Sequence, residues 1–483
     1  MNSKIKKINQ VLQGHKLLLA SSSEPYVHFY HGGEINWRTA VGGVATAFDA
    51  FMSAYGGTWV ALGLGTADAN VIDNQNNISV PPNAPAYTLK RVMVTSKEEE
   101  GFLALSSNTA LWPLSHVVYV RPQFSEDAWL QYRKVNQKLA EALSAECTQN
   151  TAVWLNDYHL SLCAQYFKKL QPNVPTGFFW HIPWPSYEIF KICPWHKEIL
   201  EGLLGADLIG FHTQGYVKNF LYTVEKTLSC KVDWQNFNIQ QGNRIIKVRA
   251  LPIGTDSQGL SELSTAKSLD EINTVRKQFN VLNRKLLLGV DRMDYTKGLP
   301  EKMKSLDILF TRYPELVGKL TLVQIAAPTR TKLPEYVQVL ENTLSAVDAV
   351  NWKYAQGDWK PIVFLNKFMS LKELIPVYKT ADVCLVTSLH DGMNLVSKEY
   401  IAANSGEGAL ILSKFAGSAE QLTQAIQVNP FLVEDIAIGI KQALDMPVLE
   451  RQKRMTKLKK TVMQNTVFGW ATDFLQELIA SKL

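Results

Sequence analysis

From about residue 151 onward, short runs of consecutive apolar residues alternate with longer stretches in which apolar positions recur every three or four residues. The short runs read as strands buried on both faces, and the 3–4 spacing reads as helix packed on one side. This predicts strands over residues 152–155, 176–180 and 207–211, with helices over 160–170, 194–204 and 214–228. A second series follows, with strands over 285–290, 320–326, 361–365, 382–387 and 409–412 and helices between them, including one over 395–404. Upstream, residues 16–21, 58–62 and 88–94 read as strands, 44–54 as a helix and 125–145 as a long amphipathic helix.

Four stretches break the rhythm. Residues 68–87 are rich in Asn and Pro and read as an exposed excursion; 233–249 are polar and read as a local hairpin. Residues 260–283 are helical with little apolar content and suit a linker, and 451–483 read as a final helical segment. Alternating strands and helices of these lengths predict an α/β protein with parallel sheets covered on both faces. The pattern occurs twice without an internal sequence repeat. It therefore predicts two doubly wound domains, residues 1–255 and 256–465, facing each other across a cleft. Residues 466–483 are expected to return to the first domain.

Composition narrows the function classes. A chain of 483 residues exceeds a single core. It is 46% hydrophobic and 19% charged, and no apolar run approaches the roughly 18 to 20 residues that span a bilayer. The apolar run near the start is too short for a signal peptide. Cys147, Cys163, Cys193, Cys230 and Cys384 show no metal-like pairing and read as reduced residues of a cytoplasmic protein. A net charge of +6 with no basic block argues against nucleic acid as a partner and is compatible with a basic cleft for phosphorylated small molecules. Self-association stays open.

Candidate chemistry collects at predicted strand ends, where open α/β sheets bind ligands. After the strand at 382–387 comes Ser388-Leu-His-Asp-Gly-Met-Asn-Leu-Val-Ser-Lys-Glu-Tyr400, a turn that opens a helix at Asn394. A helix start offers free N–H groups and the positive end of its dipole to an anion. Asp391 and Glu399 flank it and suit the hydroxyls of an attached sugar. After the strand at 285–290, Arg292 and Lys297 supply a planar fork and a compact charge for a diphosphate, and Arg330 follows the next strand. In the first half, Asp157, His159, His181 and His212 fall at strand ends; Asp157 serves equally as a helix cap or a sugar ligand, and His181 equally as a core histidine. Gly42-Gly43 opens a helix and admits close ligand approach. No nucleophile-elbow turn, no Gly-x-Gly-x-x-Gly and no metal spacing occurs, which disfavours a Ser hydrolase, a Rossmann dehydrogenase and a structural metal.

Leu155-Asn-Asp-Tyr-His-Leu160, Gly177-Phe-Phe-Trp-His-Ile-Pro-Trp-Pro185, Asp291-Arg-Met-Asp-Tyr-Thr-Lys-Gly-Leu-Pro300 and His390-Asp-Gly-Met-Asn-Leu-Val-Ser-Lys-Glu-Tyr400 resemble the trehalose-6-phosphate synthases and the related glucosylglycerol-phosphate synthases. Lys414-Phe-Ala-Gly-Ser418 and Val428-Asn-Pro430 match too, so the resemblance covers nearly the whole chain. It implies the GT-B fold, two Rossmann-like domains, and a retaining glucosyltransferase that forms no covalent enzyme intermediate. The implied donor is UDP-glucose or ADP-glucose, the implied acceptor glucose 6-phosphate, and no cofactor or metal is expected. Arg292 and Lys297 are expected on the donor diphosphate, with the N–H groups of Asn394, Leu395 and Val396. Glu399 is expected on the ribose, Asp391 on donor hydroxyls, His181 near the reacting sugar and Gly42-Gly43 beside the diphosphate. Asp157, Trp112 and Arg330 are expected on the acceptor.

Two positions depart from the family. Where the first strand of such synthases ends in Ser-Asn-Arg, this chain has Ser21-Ser-Ser23, and Leu103 stands where a Tyr often precedes the Leu-Trp-Pro tryptophan, here Trp112. Two expected contacts to the acceptor phosphate are thus absent. Other acceptors (glycerol 3-phosphate, an unphosphorylated sugar or a pseudo-sugar) remain alternatives, as does a nucleotide-sugar-binding regulatory homologue without turnover.

Overall fold

The computed structural model describes residues 8–39, 43–265 and 269–481. The chain divides into two compact units, residues 1–253 with 467–483, and residues 254–466.

In the first unit the strands are β1 (Lys16–Ala20), β2 (Tyr26–His31), β3 (Glu34–Thr39), β4 (Thr58–Gly63), β5 (Asn77–Val80), β6 (Tyr87–Met93), β7 (Thr151–Asn156), β8 (Thr176–Phe179), β9 (Leu208–Phe211), β10 (Lys231–Asp233), β11 (Asn238–Gln241) and β12 (Arg244–Ala250). Ten of them form one sheet in the order β10-β11-β12-β9-β8-β7-β1-β4-β6-β5. From β12 to β6 the pairing is parallel throughout. Antiparallel strands close both edges, β5 on one side and β10-β11 on the other. Every residue of β4 and β7 is buried, as a parallel strand covered on both faces requires. The chain winds one way from β1 through β4 to β6 and the other way from β7 through β8 to β9. The topological switch point is therefore the β1–β7 pair.

The helix Val467–Ile479 belongs to this unit. Its Phe474 ring stacks on Trp154 at 4.2 Å. Gly177 makes room for it, since a Cβ there would sit 2.7 Å from the Phe474 ring. Ser125 caps the long helix Glu126–Glu146, whose first turn carries Glu126 and Asp127, as the N-terminal dipole favours.

The second unit carries β13 (Lys285–Arg292), β14 (Leu320–Ala327), β15 (Ile362–Leu365), β16 (Val383–Val386), β17 (Ala409–Ser413) and β18 (Ile426–Val428). All pair in parallel in the order β15-β14-β13-β16-β17-β18, so the switch point is β13–β16. Buried clusters pack on both faces of this sheet. Both sheets are thus doubly wound.

The structure differs from the sequence pattern in local elements. Residues 68–87 include the edge strand β5, which pairs with β6. The β2–β3 ribbon and a π-helix, Glu100–Leu111, had no periodic signal. The region 160–170 is a 3-10 turn, Tyr158–Leu160, followed by the helix Cys163–Leu170. The linker region holds two helices, Ser257–Thr265 and Leu269–Gln278. The last segment is broken into Val448–Gln464 and Val467–Ile479, which lie in different units.

Candidate active site

In the second unit the chemistry gathers around the β13–β16 switch point. Arg292 is the last residue of β13, and Asp294 lies fully buried two residues on. Asp294 Oδ1 accepts hydrogen bonds from the backbone N–H and hydroxyl of Thr296, both at 3.0 Å. Its Oδ2 takes no hydrogen bond among the described residues but faces Arg292 Nη2 at 3.5 Å and Arg330 Nη1 at 3.6 Å. Burial alone would raise this carboxyl; Arg292, Arg330 and Lys297 outweigh it and hold it below the usual range. One carboxylate therefore gathers three cations from two different strand ends. Arg330 has φ +49° and also donates to the Tyr336 hydroxyl, with its guanidinium 5.3 Å from that ring centre.

Lys297 ends the 3-10 turn that follows, and its Nζ donates to Asp391 Oδ2 at 2.6 Å. The next residue, Gly298, has φ +62°, and a Cβ there would lie 2.3 Å from the Thr387 carbonyl. Only glycine lets the Lys297 turn press against the end of β16. Asp391 Oδ2 also accepts from Ser388 Oγ and Asn394 Nδ2, both at 3.2 Å. Asn394 has φ +96°; its Oδ1 accepts the Ser397 N–H at 2.9 Å and caps the helix Leu395–Ala403. Among the described residues, that leaves the N–H groups of Leu395 and Val396 without a partner in the first turn of the helix. Glu399, half-buried on the same helix, accepts from the Tyr378 hydroxyl at 3.0 Å. Burial pushes its carboxyl up, and that hydrogen bond opposes the shift.

The first unit gathers polar groups at the β1–β7 switch point. Asp157 has φ +72°, and its Oδ1 accepts the N–H groups of Tyr158 at 3.0 Å and His181 at 3.1 Å. The His181 ring lies against Phe179, His212, Trp470 and Phe48. It is 6% exposed, and burial pushes its imidazole down to about 3, so it is neutral. Gly43 begins the helix Gly43–Tyr55, which carries Phe48 to that ring; Gly42 lies outside the described residues. Trp112 is buried 6.0 Å, ring to ring, from Tyr158.

A π-helix, Glu100–Leu111, leads into the short helix Trp112–His116. Ser107 Oγ donates to the Phe102 carbonyl and Thr109 Oγ1 to the Ala104 carbonyl, each five residues back. Leu103 lies in this π-wound stretch, which runs directly into Trp112. Ser23 is exposed, while the adjacent Glu24 is buried against Arg91 at 2.7 Å.

The units thus bring together Arg292, Lys297, Arg330, Asp391 and Asn394 in one and Asp157 with His181 in the other. Three of the nine described non-glycine residues with positive φ are Asp157, Arg330 and Asn394. Such backbone concentrates at functional sites. Sequence reasoning passed over Asp294, Asn156 and Tyr378. Asp294 stands inside the Arg292–Lys297 motif, but nothing in the linear order shows Arg330 reaching the same carboxylate. Chemically, the second unit can neutralise a diphosphate with cations and helix N–H groups while a carboxylate holds hydroxyls.

Comparison with known proteins agrees with this arrangement. The family model described as glycosyltransferase family 20 matches residues 16–480. The chain is 39% identical to the UDP-forming alpha,alpha-trehalose-phosphate synthase of Pichia angusta over 77% of this chain and 79% of the relative. It is 35% identical to the trehalose-6-phosphate synthase of Mycobacterium avium over 93% of this chain and 92% of the relative. The structure superposes on the Burkholderia xenovorans alpha,alpha-trehalose-phosphate synthase in complex with glucose-6-phosphate with a TM-score of 0.87, at 29% identity, covering 96% of this chain and all of the other. A second match is the Escherichia coli structure bound with UDP-2-fluoro glucose, with a TM-score of 0.85 at 28% identity, covering 96% and 98% of the two chains. With the doubly wound sheets and the cation cluster at the strand ends, a match over nearly the full length leads to one assignment: the chain belongs to glycosyltransferase family 20.

Proposed function

We propose that the protein transfers glucose from UDP-glucose to glucose 6-phosphate with retention of anomeric configuration, giving trehalose 6-phosphate and UDP. The single observation that carries this reading is the convergence of Arg292, Arg330 and Lys297 on buried Asp294, with Lys297 also bonded to Asp391 just before the helix start at Leu395. Relatives that form UDP, and neighbours bound to glucose-6-phosphate and to UDP-2-fluoro glucose, support the choice of substrates.

As the bond between the anomeric carbon and the diphosphate oxygen breaks, negative charge grows on the leaving phosphate. Arg292, Lys297 and the N–H groups of Leu395 and Val396 oppose that charge, so they bind the transition state more tightly than the ground state. The acceptor hydroxyl oxygen forms the new bond on the same face, and its proton passes to the leaving phosphate. Asp391 holds donor hydroxyls, Glu399 the ribose and Arg330 an acceptor phosphate, while Asp157 and Trp112 are the acceptor-side groups of the first unit. This reading gives charge compensation to side chains and includes no metal or cofactor. The reduced cysteines support a cytoplasmic setting. No helix among the described residues is long and apolar enough to cross a membrane.

A second reading, transfer to glycerol 3-phosphate or to an unphosphorylated acceptor, is favoured by exposed, uncharged Ser23 and by Leu103. Nucleotide release from UDP-glucose and ADP-glucose, each with glucose 6-phosphate and with glycerol 3-phosphate, separates the readings. Release that depends on glucose 6-phosphate supports the first. Release that requires another acceptor supports the second, and binding without release indicates a regulatory homologue.

A further inference from the structure

At the β1–β7 switch point one hydrogen-bond chain links the two central strands to His181. Asn156, the last residue of β7, is 1% exposed. Its Nδ2 lies 3.2 Å from the Ala20 carbonyl at the end of β1 and 3.4 Å from the Trp154 carbonyl. A carbonyl oxygen only accepts, so the amide nitrogen must face these two and the amide oxygen must face the other way. That oxygen, Oδ1, is 3.3 Å from His181 Nε2. An amide oxygen also only accepts, so Nε2 must carry the imidazole proton. The other ring nitrogen, Nδ1, is then a bare lone pair. It is buried and has no hydrogen-bond partner among the described residues, although a buried polar atom without one is costly.

We propose that Asn156 is a positioning residue that locks His181 in the Nε2–H tautomer, so that Nδ1 accepts a hydrogen bond from a hydroxyl of the bound sugar. The inference rests on the glycosyltransferase reading for the identity of the ligand, but the tautomer itself does not depend on that reading. The surroundings keep the ring neutral, which the role requires, because an imidazolium donates at both nitrogens. Phe179, Phe48 and Trp470 supply apolar faces, and the rings of His181 and His212 are 5.3 Å apart. His212 Nδ1 accepts the Ile253 N–H at 3.4 Å. Among the described residues, the one carboxylate bonded to His181, that of Asp157, takes its backbone N–H, and the ring bonds Asn156.

The direct test is long-range nitrogen–proton NMR of the imidazoles in the uncomplexed full chain, with His181 assigned by loss of its signals in His181→Gln. The expected result is a protonated Nε2 and an unprotonated Nδ1; a proton on Nδ1 overturns the proposal. Kinetics give a second test. Asn156→Leu should lower kcat/KM roughly tenfold, the scale of one lost hydrogen bond. Asn156→Asp should recover activity at high pH but show an acid limb that the native protein lacks, because a carboxylate beside Nε2 favours the imidazolium and a protonated Nδ1 cannot accept. If the Leu variant does not fold, that acid limb decides. Native kcat/KM in Asn156→Leu, or a native pH profile in Asn156→Asp, contradicts the proposal. If the native protein itself shows no turnover, the glycosyltransferase reading has failed, and the NMR result still decides the tautomer.

Discussion

Lys297 Nζ and Asp391 Oδ2 lie 2.6 Å apart, with side chains 10% and 15% exposed, so the cation proposed to hold the diphosphate is itself held by the acid proposed to hold sugar hydroxyls. The pair joins the turn after β13 to the turn after β16 across the switch point. Removing one member takes from the other, which stays largely buried, the charge it faces at 2.6 Å, and breaking such a pair costs about 3–5 kcal/mol. Lys297→Met should therefore lower the melting temperature and reduce kcat/KM by roughly a hundredfold or more. Lys297→Met combined with Asp391→Asn should regain much of the stability and none of the activity. A double-mutant cycle by calorimetry and initial rates checks both.

Asp294 answers to pH with a definite sign. Its carboxyl is held below the ordinary value by Arg292, Arg330 and Lys297 against the opposing effect of burial. The stability it contributes is fully present above about pH 4, the unfolded carboxylate value. It is lost as pH falls through the lower folded value. Asp294→Asn should be less stable than the native chain at neutral pH by about 3 kcal/mol, and the gap should narrow on acidification below about pH 4. Urea unfolding at neutral and acid pH measures this.

His181 predicts the behaviour of a base. Burial pushes its imidazole down to about 3, from an unfolded value near 6.5. The unfolded chain therefore binds the proton first, and stability present above about pH 6.5 drains away as pH falls toward the folded value. His181→Phe removes that titration, so its stability should change less between about pH 6.5 and pH 4 than that of the native protein. Melting curves across that interval show the difference.

Much of this was legible in the sequence because it is local. Each parallel strand buries both faces and so reads as an uninterrupted apolar run, which is why both sheets could be anticipated from the pattern of residues 152–211 and 285–412. Asn394 at the helix start, Lys297 before Gly298 and Arg292 at the end of β13 follow from order along the chain. What could not be read are relationships created by folding. Asp294 meets Arg330 only because β13 and β14 are paired neighbours. Asn156 reaches Ala20 only because β1 is inserted beside β7. The π-helix, which carries Leu103, has no periodic signature, since its winding is neither 3.6 nor 2.

The acceptor side makes its own prediction. Ser23 is exposed and uncharged, and Leu103 carries no hydroxyl. Ser23→Arg with Leu103→Tyr restores two groups suited to a phosphate. A hydrogen bond to a charged group contributes about 1.5–3 kcal/mol, so each restored group should lower the KM for glucose 6-phosphate roughly ten- to hundredfold, and the double variant should exceed either single one. The KM for the nucleotide sugar should stay nearly constant, because neither substitution alters a group proposed to hold it. Steady-state kinetics with each substrate varied in turn distinguish a local gain from a general one.

The most direct test of the glucosyl-transfer account is the product itself. The purified protein is incubated with UDP-glucose and glucose 6-phosphate, and the products are followed by NMR from the first turnovers. The account predicts UDP and a disaccharide phosphate in stoichiometric amounts, with the transferred glucose keeping its α-configuration, and loss of both products in Arg292→Ala. A β-linked product, or release of UDP with free glucose and no disaccharide phosphate, would contradict it.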